Sequence, residues 1–250
     1  MVFGQEVTTA GNLPSCLPPV EIASAQAARV QDPGVLVLRD GRSIKLEGLL
    51  WPAGERDGAS AAIRRQATAG LKQLVVGRDQ AVRTRAPKLD RYDRLRAQVV
   101  LADGTWVQRA ILLQGLARVS LAPDRSECAR ELYAAEAQAR AVRRGLWASP
   151  AYAVHSPESL RWRDLGTFQI VEGAVQNVAV RGSRAYLNFG RNWRTDFTVT
   201  ISPDDMKAFR ARGIDPYSYA NKTIRVRGWI DRLNGYEIEA AGPAQIEVLE

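Results

Sequence analysis

The sequence predicts a mainly β protein with helices (α+β), folded as two domains. Three observations carry that expectation. Strands and helices alternate up to about residue 150, a Pro- and Ser-bearing connector follows, and beyond it short strands succeed one another around one helix. At 250 residues, with 46% hydrophobic and 25% charged side chains, the chain holds enough apolar surface for two modest cores. No apolar run approaches the roughly 20 residues that span a bilayer, so no transmembrane segment is expected.

Residues 1–28 read as an irregular arm punctuated by Pro14, Pro18 and Pro19. Val35–Leu38 and Ile44–Leu46 flank "RDGR", and an Asp-Gly pair between apolar runs signals a hairpin. "SAAIRRQATAGLKQLVVG" reads as a helix, with Ser60 as N-cap, Ile63, Ala67, Leu71 and Leu74 on one face, and Gly77 as the stop. "QAVRTRAPK" and "RLRAQVVL" alternate like strands, and a short helix follows, stopped at Gly115. A longer helix turns Leu132, Ala135, Ala139 and Val142 inward and ends at Gly145. The expected division is an arm (1–28), a first domain (29–150), a linker (151–165) and a second domain (166–250). In the second, five or six short strands interrupted by "SPDDMKAFRARG", with Ser202 as N-cap, read as a small Greek-key barrel of the OB type.

Charge and rare residues narrow the chemistry. The net charge is +8 and the pI near 9.9, which suits phosphate-bearing partners. The excess is uneven: 22 Lys and Arg face 16 Asp and Glu up to residue 160, and 13 face 11 beyond it. The single histidine, His155, lies in "YAVHSPES" and reads as an exposed linker residue, which argues against histidine-dependent nucleophilic catalysis. No CxxC pair exists, which excludes a thiolate metal site of that kind. Cys16 sits in the proline-rich lead-in and Cys128 in the first turn of a helix. They are two separate thiols or a disulfide, and the disulfide, which is the favoured reading, implies an oxidising compartment. The start, "MVFGQEVTTAGNLPSC", has neither a basic nor an apolar leader region. A periplasmic or secreted location therefore assumes a leader already removed, and a cytoplasmic one stays open.

An ordered set of features between Arg29 and Trp147 then stands out. The hairpin leads into "LEGLLWP", the helix "AAIRRQATAGLKQLVVG" follows, then "DRYDRLRAQVVLADGTWVQRAILLQGLARV", and the closing helix ends in "RRGLW". This order resembles the thermonuclease, or staphylococcal nuclease-like, family. The resemblance implies a five-stranded OB barrel with packed helices. It also implies phosphodiester hydrolysis with one Ca²⁺ held by two aspartates, a glutamate handling the attacking water, and two arginines stabilising the developing charge.

Carried over residue by residue, that chemistry is depleted. Lys45 takes the first arginine's place, keeping charge without the planar fork. Gly34 and Leu50 stand at the two metal-ligand positions and Ala53 at the base position. Arg94 keeps the family identity in "DRYDR", with Tyr92 beside it and Asp93 in place of a glycine. Asp32, Asp40, Glu47 and above all Glu55 are the carboxylates available to a rebuilt site. Leu50 and Trp51 either fill the emptied site or form an exposed hydrophobic spot. The expectation is a catalytically inactive thermonuclease-like protein without a cofactor, Ca²⁺ entering only if the site is rebuilt.

In the second domain, "SRAYLNFGRNWRTDFTVTI" interleaves Tyr186, Phe189, Trp193 and Phe197 with Arg184, Arg191 and Arg194. Rings that stack bases and cations that meet phosphates are what a single-stranded nucleic-acid site needs. Strand alternation sends some of these rings into the core, leaving Tyr186, Arg191, Trp193 and Arg194, with Lys45, Tyr92 and Arg94 of the first domain, as candidate binding residues. Three functions stand open: a binding module for single-stranded nucleic acid or a protein partner, an exported envelope scaffold, and an active metal-dependent phosphodiesterase with a rearranged site.

Overall fold

The computed structural model describes residues 13–54, 57–192 and 194–249. The chain divides into two compact units. The first takes residues up to 52 with 61–119 and 127–145, and the second takes 53–60, 120–126 and 146 onward.

The first unit is a closed barrel of five strands in the order β1 (Val20–Asp32), β2 (Val35–Leu38), β3 (Ser43–Leu46), β6 (Leu95–Leu101) and β5 (Asp79–Arg83), with β3 and β6 parallel and the other pairs antiparallel. The expected hairpin is β2–β3, its turn closed by Asp40, which accepts from the Arg42 N–H at 3.0 Å. The expected irregular arm is corrected from Val20 onward; residues 1–12 lie outside the described residues. "VEIASAQAARVQD" shows no clean alternation because β1 is paired on both edges, to β2 and to β5. Register shifts between Val20 and Ile22, Ile22 and Ala25, Ala27 and Arg29, and Val30 and Asp32 bend it around the barrel.

Helix α1 (Ala61–Val75) buries Ala67, Leu71 and Val75, leaving Ile63 and Leu74 half-buried. Leu49–Leu50 (β4) pairs with Arg118–Val119 (β7). Helix α2 (Val107–Leu113) is tied to β6 through buried Gln108, whose amide donates to Ala97 O at 2.9 Å and accepts from Val99 N at 3.1 Å. Helix α3 (Ala129–Ala141) turns Leu132, Ala135 and Ala139 inward as expected. Val142 does not follow them. It is 63% exposed because the helix has ended there. Gly115 and Gly145, both at positive φ, meet backbone to backbone. A Cβ on Gly115 would overlap the Arg144 carbonyl, and one on Gly145 would come 2.7 Å from Gln114 O.

Cys16 and Cys128 form a disulfide across 112 residues, with Cα atoms 5.2 Å apart. The lead-in before β1 is thereby joined to the residue preceding α3.

The second unit builds two sheets. β13 (Asp231–Leu233), β14 (Gly235–Glu239), β11 (Thr198–Ile201), β10 (Arg184–Asn188) and β9 (Asn177–Arg181) form one, in that order. β15 (Ile246–Val248), β12 (Thr223–Trp229) and β8 (Phe168–Ala174) form the other. β11 and β14 run parallel, as β3 and β6 do in the first unit. The ladder is split in two where a single barrel was expected. Helix α4 (Met206–Ala211) starts later than its sequence signal; Ser202 Oγ accepts from Asp205 N at 3.1 Å across the turn that leads into it. Val171, Leu187, Val199, Phe209, Val226 and Ile238 lie in one core.

The expected linker belongs to this unit: Leu160 is in its core, and His155 is bridged to β8, donating its N–H to Ile170 O and accepting from Glu172 N. His155 is therefore half-buried rather than an exposed connector residue.

Candidate functional site

At the carry-over positions of the first unit, the β1–β2 turn puts Gly34 at φ +80°, a left-handed conformation that glycine adopts freely. The Leu46 N–H donates to its carbonyl at 2.8 Å. Trp51, which follows β4, is only 6% exposed, and its indole lies against Gly34. A Cβ at position 34 would come 2.8 Å from Trp51 Cδ1 and overlap Nε1. The volume a side chain at 34 would need is taken by the tryptophan, and the indole N–H is buried without a hydrogen-bond partner.

Lys45 sits on β3 between Val35 and Arg96 of the neighbouring strands. Burial depresses its pKa, the Arg94 charge depresses it further, and Asp90 and Asp32 work the other way. Arg94 is already engaged: its guanidinium meets the Asp90 carboxylate at 2.7 Å. Burial opposes ionisation of Asp90, but hydrogen bonds from the Arg94 side chain and from the Tyr92 and Arg94 backbone outweigh it and hold the carboxyl below its ordinary range. Asp93 adopts φ +56° in that turn, the backbone state a glycine would supply. Tyr92 is 62% exposed, with the Arg91 and Arg94 guanidinium carbons 4.9 and 4.8 Å from its ring centroid.

The structure therefore gathers Lys45, Arg94, Asp90 and Asp32 into one electrostatic cluster in which each positive charge has a negative neighbour. Of the spare carboxylates, Asp40 is bonded to Arg42 and Glu47 to Arg96 at 2.6 Å. Glu55 lies outside the described residues. Leu50 is half-buried in β4 and Ala53 is exposed. Ca²⁺ wants six to eight oxygen ligands; Gly34, Leu50 and Ala53 offer no side-chain oxygen. Among the described residues no three His, Cys, Asp or Glu side chains gather to hold a metal. The described residues at these positions do not fit the ion.

The second unit brings Tyr186 and Arg191 together in a groove of about 750 Å³. Tyr186 and Asn188 share one face of β10, opposite Ala179 and Asn177 of β9, with Thr198 of β11 beside them. Arg181 and Asn234 complete the rim. Leu187, Phe189 and Phe197 turn the other way and are buried, the two phenylalanine rings 5.0 Å apart. Arg184 pairs with Glu239 at 2.8 Å. Arg191 and Arg194 are exposed on a turn built on Asp196, whose carboxylate accepts from the Asn192 N–H at 2.7 Å. Trp193 lies outside the described residues. Asn177, Asn188, Thr198 and Asn234 escaped sequence reasoning. The alternation with Tyr186 was the signal for Asn188, and the Asn234-Gly235 turn dipeptide the signal for Asn234.

Residues 51–149 match the family model for staphylococcal nuclease homologues. The match begins at Trp51, so positions 34, 45 and 50 precede it. No curated protein matches the chain.

Proposed function

Because residues 51–149 form a staphylococcal nuclease-like domain, we propose that this chain is a non-hydrolysing member of that nuclease-like group, acting as a binding module for single-stranded nucleic acid. The observation that carries the loss of hydrolysis is the Trp51 indole in the space of position 34. A ligand restored at that position meets a ring, and Leu50 and Ala53 supply nothing to the ion or the water. The second unit, whose strand order supports an OB-like reading, takes the ligand. Tyr186 offers a stacking face, Arg181 and Arg191 meet phosphates, and Asn177, Asn188 and Thr198 read polar edges. The net charge of +8 supports the same partner.

Fluorescence anisotropy with a labelled single-stranded oligonucleotide, from about 50 to about 200 mM salt, tests this. The affinity falls steeply with salt and drops about tenfold in Tyr186→Ala, the low end of the stacking range. No binding at the lowest salt would sink the proposal. In parallel, incubation with DNA and Ca²⁺ yields no EDTA-sensitive cleavage. Cleavage that disappears in Arg94→Ala supports instead a rearranged phosphodiesterase.

A second reading has its own support. The Cys16–Cys128 disulfide favours an oxidising compartment, and so a periplasmic or secreted protein holding an envelope partner. Capture of one envelope polypeptide, undisturbed by competing oligonucleotide, distinguishes it.

A further inference from the structure

The second unit contains another cavity, of about 630 Å³, that the nucleic-acid reading does not use. Its lining includes Asp57, His155, Trp162, Asp164, Thr167 and Gln169. Trp162 is 80% exposed, a large ring face left in water. Behind it the floor is polar and closed: Asp164, Thr167 and Gln169 are 6%, 4% and 7% exposed. We propose that this cavity binds a ring of a neutral saccharide, with Trp162 as the platform.

The hydrogen bonds determine what the cavity offers. The Gln169 amide donates to Thr167 Oγ1 at 2.9 Å, and the Thr167 hydroxyl donates to the Asp164 carbonyl at 2.5 Å. One Asp164 carboxylate oxygen accepts from the Arg161 backbone N–H at 2.6 Å. Ser159 donates its hydroxyl proton to Ser156 O at 2.9 Å, so the His155 Nδ1 at 3.1 Å donates to Ser159 Oγ. The cavity therefore offers acceptors, a carboxylate oxygen and an amide oxygen, beside the guanidinium donors of Arg163. A ligand complementary to them presents both donors and acceptors, which is what a polyhydroxylated ring does.

Charge narrows the class further. Among the described lining residues Asp57 and Asp164 stand against one arginine, Arg163, so the cavity carries no positive excess to draw in phosphates or carboxylates. The Arg161 guanidinium is bonded to the Glu158 and Leu160 carbonyls at 2.7 and 2.8 Å. The wall is rigid: the Tyr152 hydroxyl donates to Asp57 at 3.0 Å, and Gly58, at φ +70°, lies so close to Ala151 that a Cβ there would overlap its methyl. A planar apolar face beside fixed polar acceptors suits a sugar, whose ring has C–H faces and hydroxyl edges. Trp229, 58% exposed, is outside this cavity. It packs on Phe168 at 5.8 Å, on the other face of β8 from Gln169.

The intact protein is titrated by calorimetry and saturation-transfer NMR with an N-acetylglucosamine trisaccharide, a glucose trisaccharide, and adenosine and uridine monophosphates. One of the saccharides binds with a Kd of about 1 mM or tighter. Trp162→Ala, a surface change whose folding circular dichroism verifies, weakens it about tenfold, while Trp229→Ala and Tyr186→Ala leave it unchanged. The idea is overturned if neither saccharide binds, if only the nucleotides bind, or if Trp162→Ala binds as wild type. Tyr186→Ala separates this outcome from that of the oligonucleotide experiment.

Discussion

The contact between Gly34 and Trp51 predicts a measurable coupling. Gly34→Ala adds one methyl group at a left-handed position, which costs about 1–2 kcal/mol by backbone strain alone. It also drives that methyl into the indole, and overpacking of this kind costs a further 1–3 kcal/mol, roughly. In a Trp51→Ala background the strain remains and the overlap is gone. The double-mutant cycle therefore yields a coupling of about 1–3 kcal/mol, the double mutant losing less than the sum of the two single losses. Trp51→Ala alone destabilises by about 3–5 kcal/mol. Trp51→Phe loses less, since it also removes a buried N–H that finds no acceptor. The assay is guanidinium unfolding followed by far-UV circular dichroism, which does not depend on the deleted fluorophore. A coupling within about 0.5 kcal/mol of zero refutes the idea that the ring occupies position 34.

Four more outcomes follow from burial, charge and the disulfide. Arg227 is 1% exposed and paired with Glu247 at 2.6 Å, so Glu247→Ala, which removes a charged hydrogen bond, destabilises by about 1.5–3 kcal/mol. Asp204→Ala, which removes an exposed pair with Lys207, changes chemical-denaturation midpoints hardly at all. Burial, with Glu239 and Asp231 nearby, raises the Glu237 pKa against the Thr200 hydrogen bond and Arg184. A carboxyl whose folded pKa is raised weakens the fold as pH rises through its unfolded and then its folded pKa. Glu237→Gln therefore gains Tm over wild type as pH rises above the ordinary glutamate value of about 4.3, and calorimetry showing the difference shrink with pH contradicts this. Cys16→Ser lowers stability by about 3–5 kcal/mol, as expected for opening a long loop, measured by the same unfolding curves.

The β2–β3 hairpin, α1 and α3 were legible because each has a local cause: an Asp-Gly turn, a 3.6-residue apolar stripe, a glycine stop. Strand β1 was not, since its pairing to two partners is a tertiary fact and its Ala- and Ser-rich stretch carries no period of its own. The two-residue strands β4 and β7 are too short to leave any signal. In the first-unit site, the absence of side-chain oxygens at Gly34, Leu50 and Ala53 was readable residue by residue. That Trp51 packs against Gly34 depended on a positive φ and a close approach, neither of which a sequence displays. Tyr186 was separated from Phe189 and Phe197 by alternation alone. Trp162 went unweighed because the segment holding it reads as a connector, and only its packing into the second unit makes its exposure unusual.

The meeting of Gly115 with Gly145 sets a counting rule for the first unit. Because the turns that follow α2 and α3 meet through bare backbone, each helix must deliver its turn to the contact at a fixed angle about its axis. One inserted or deleted residue in either turns everything beyond it by about 100° and replaces a glycine at the seam by a residue with a Cβ. Point changes on the outer faces of these helices leave that phase intact. A change in length does not, so a one-residue insertion in α2 or α3 disrupts the first unit more than most single substitutions there.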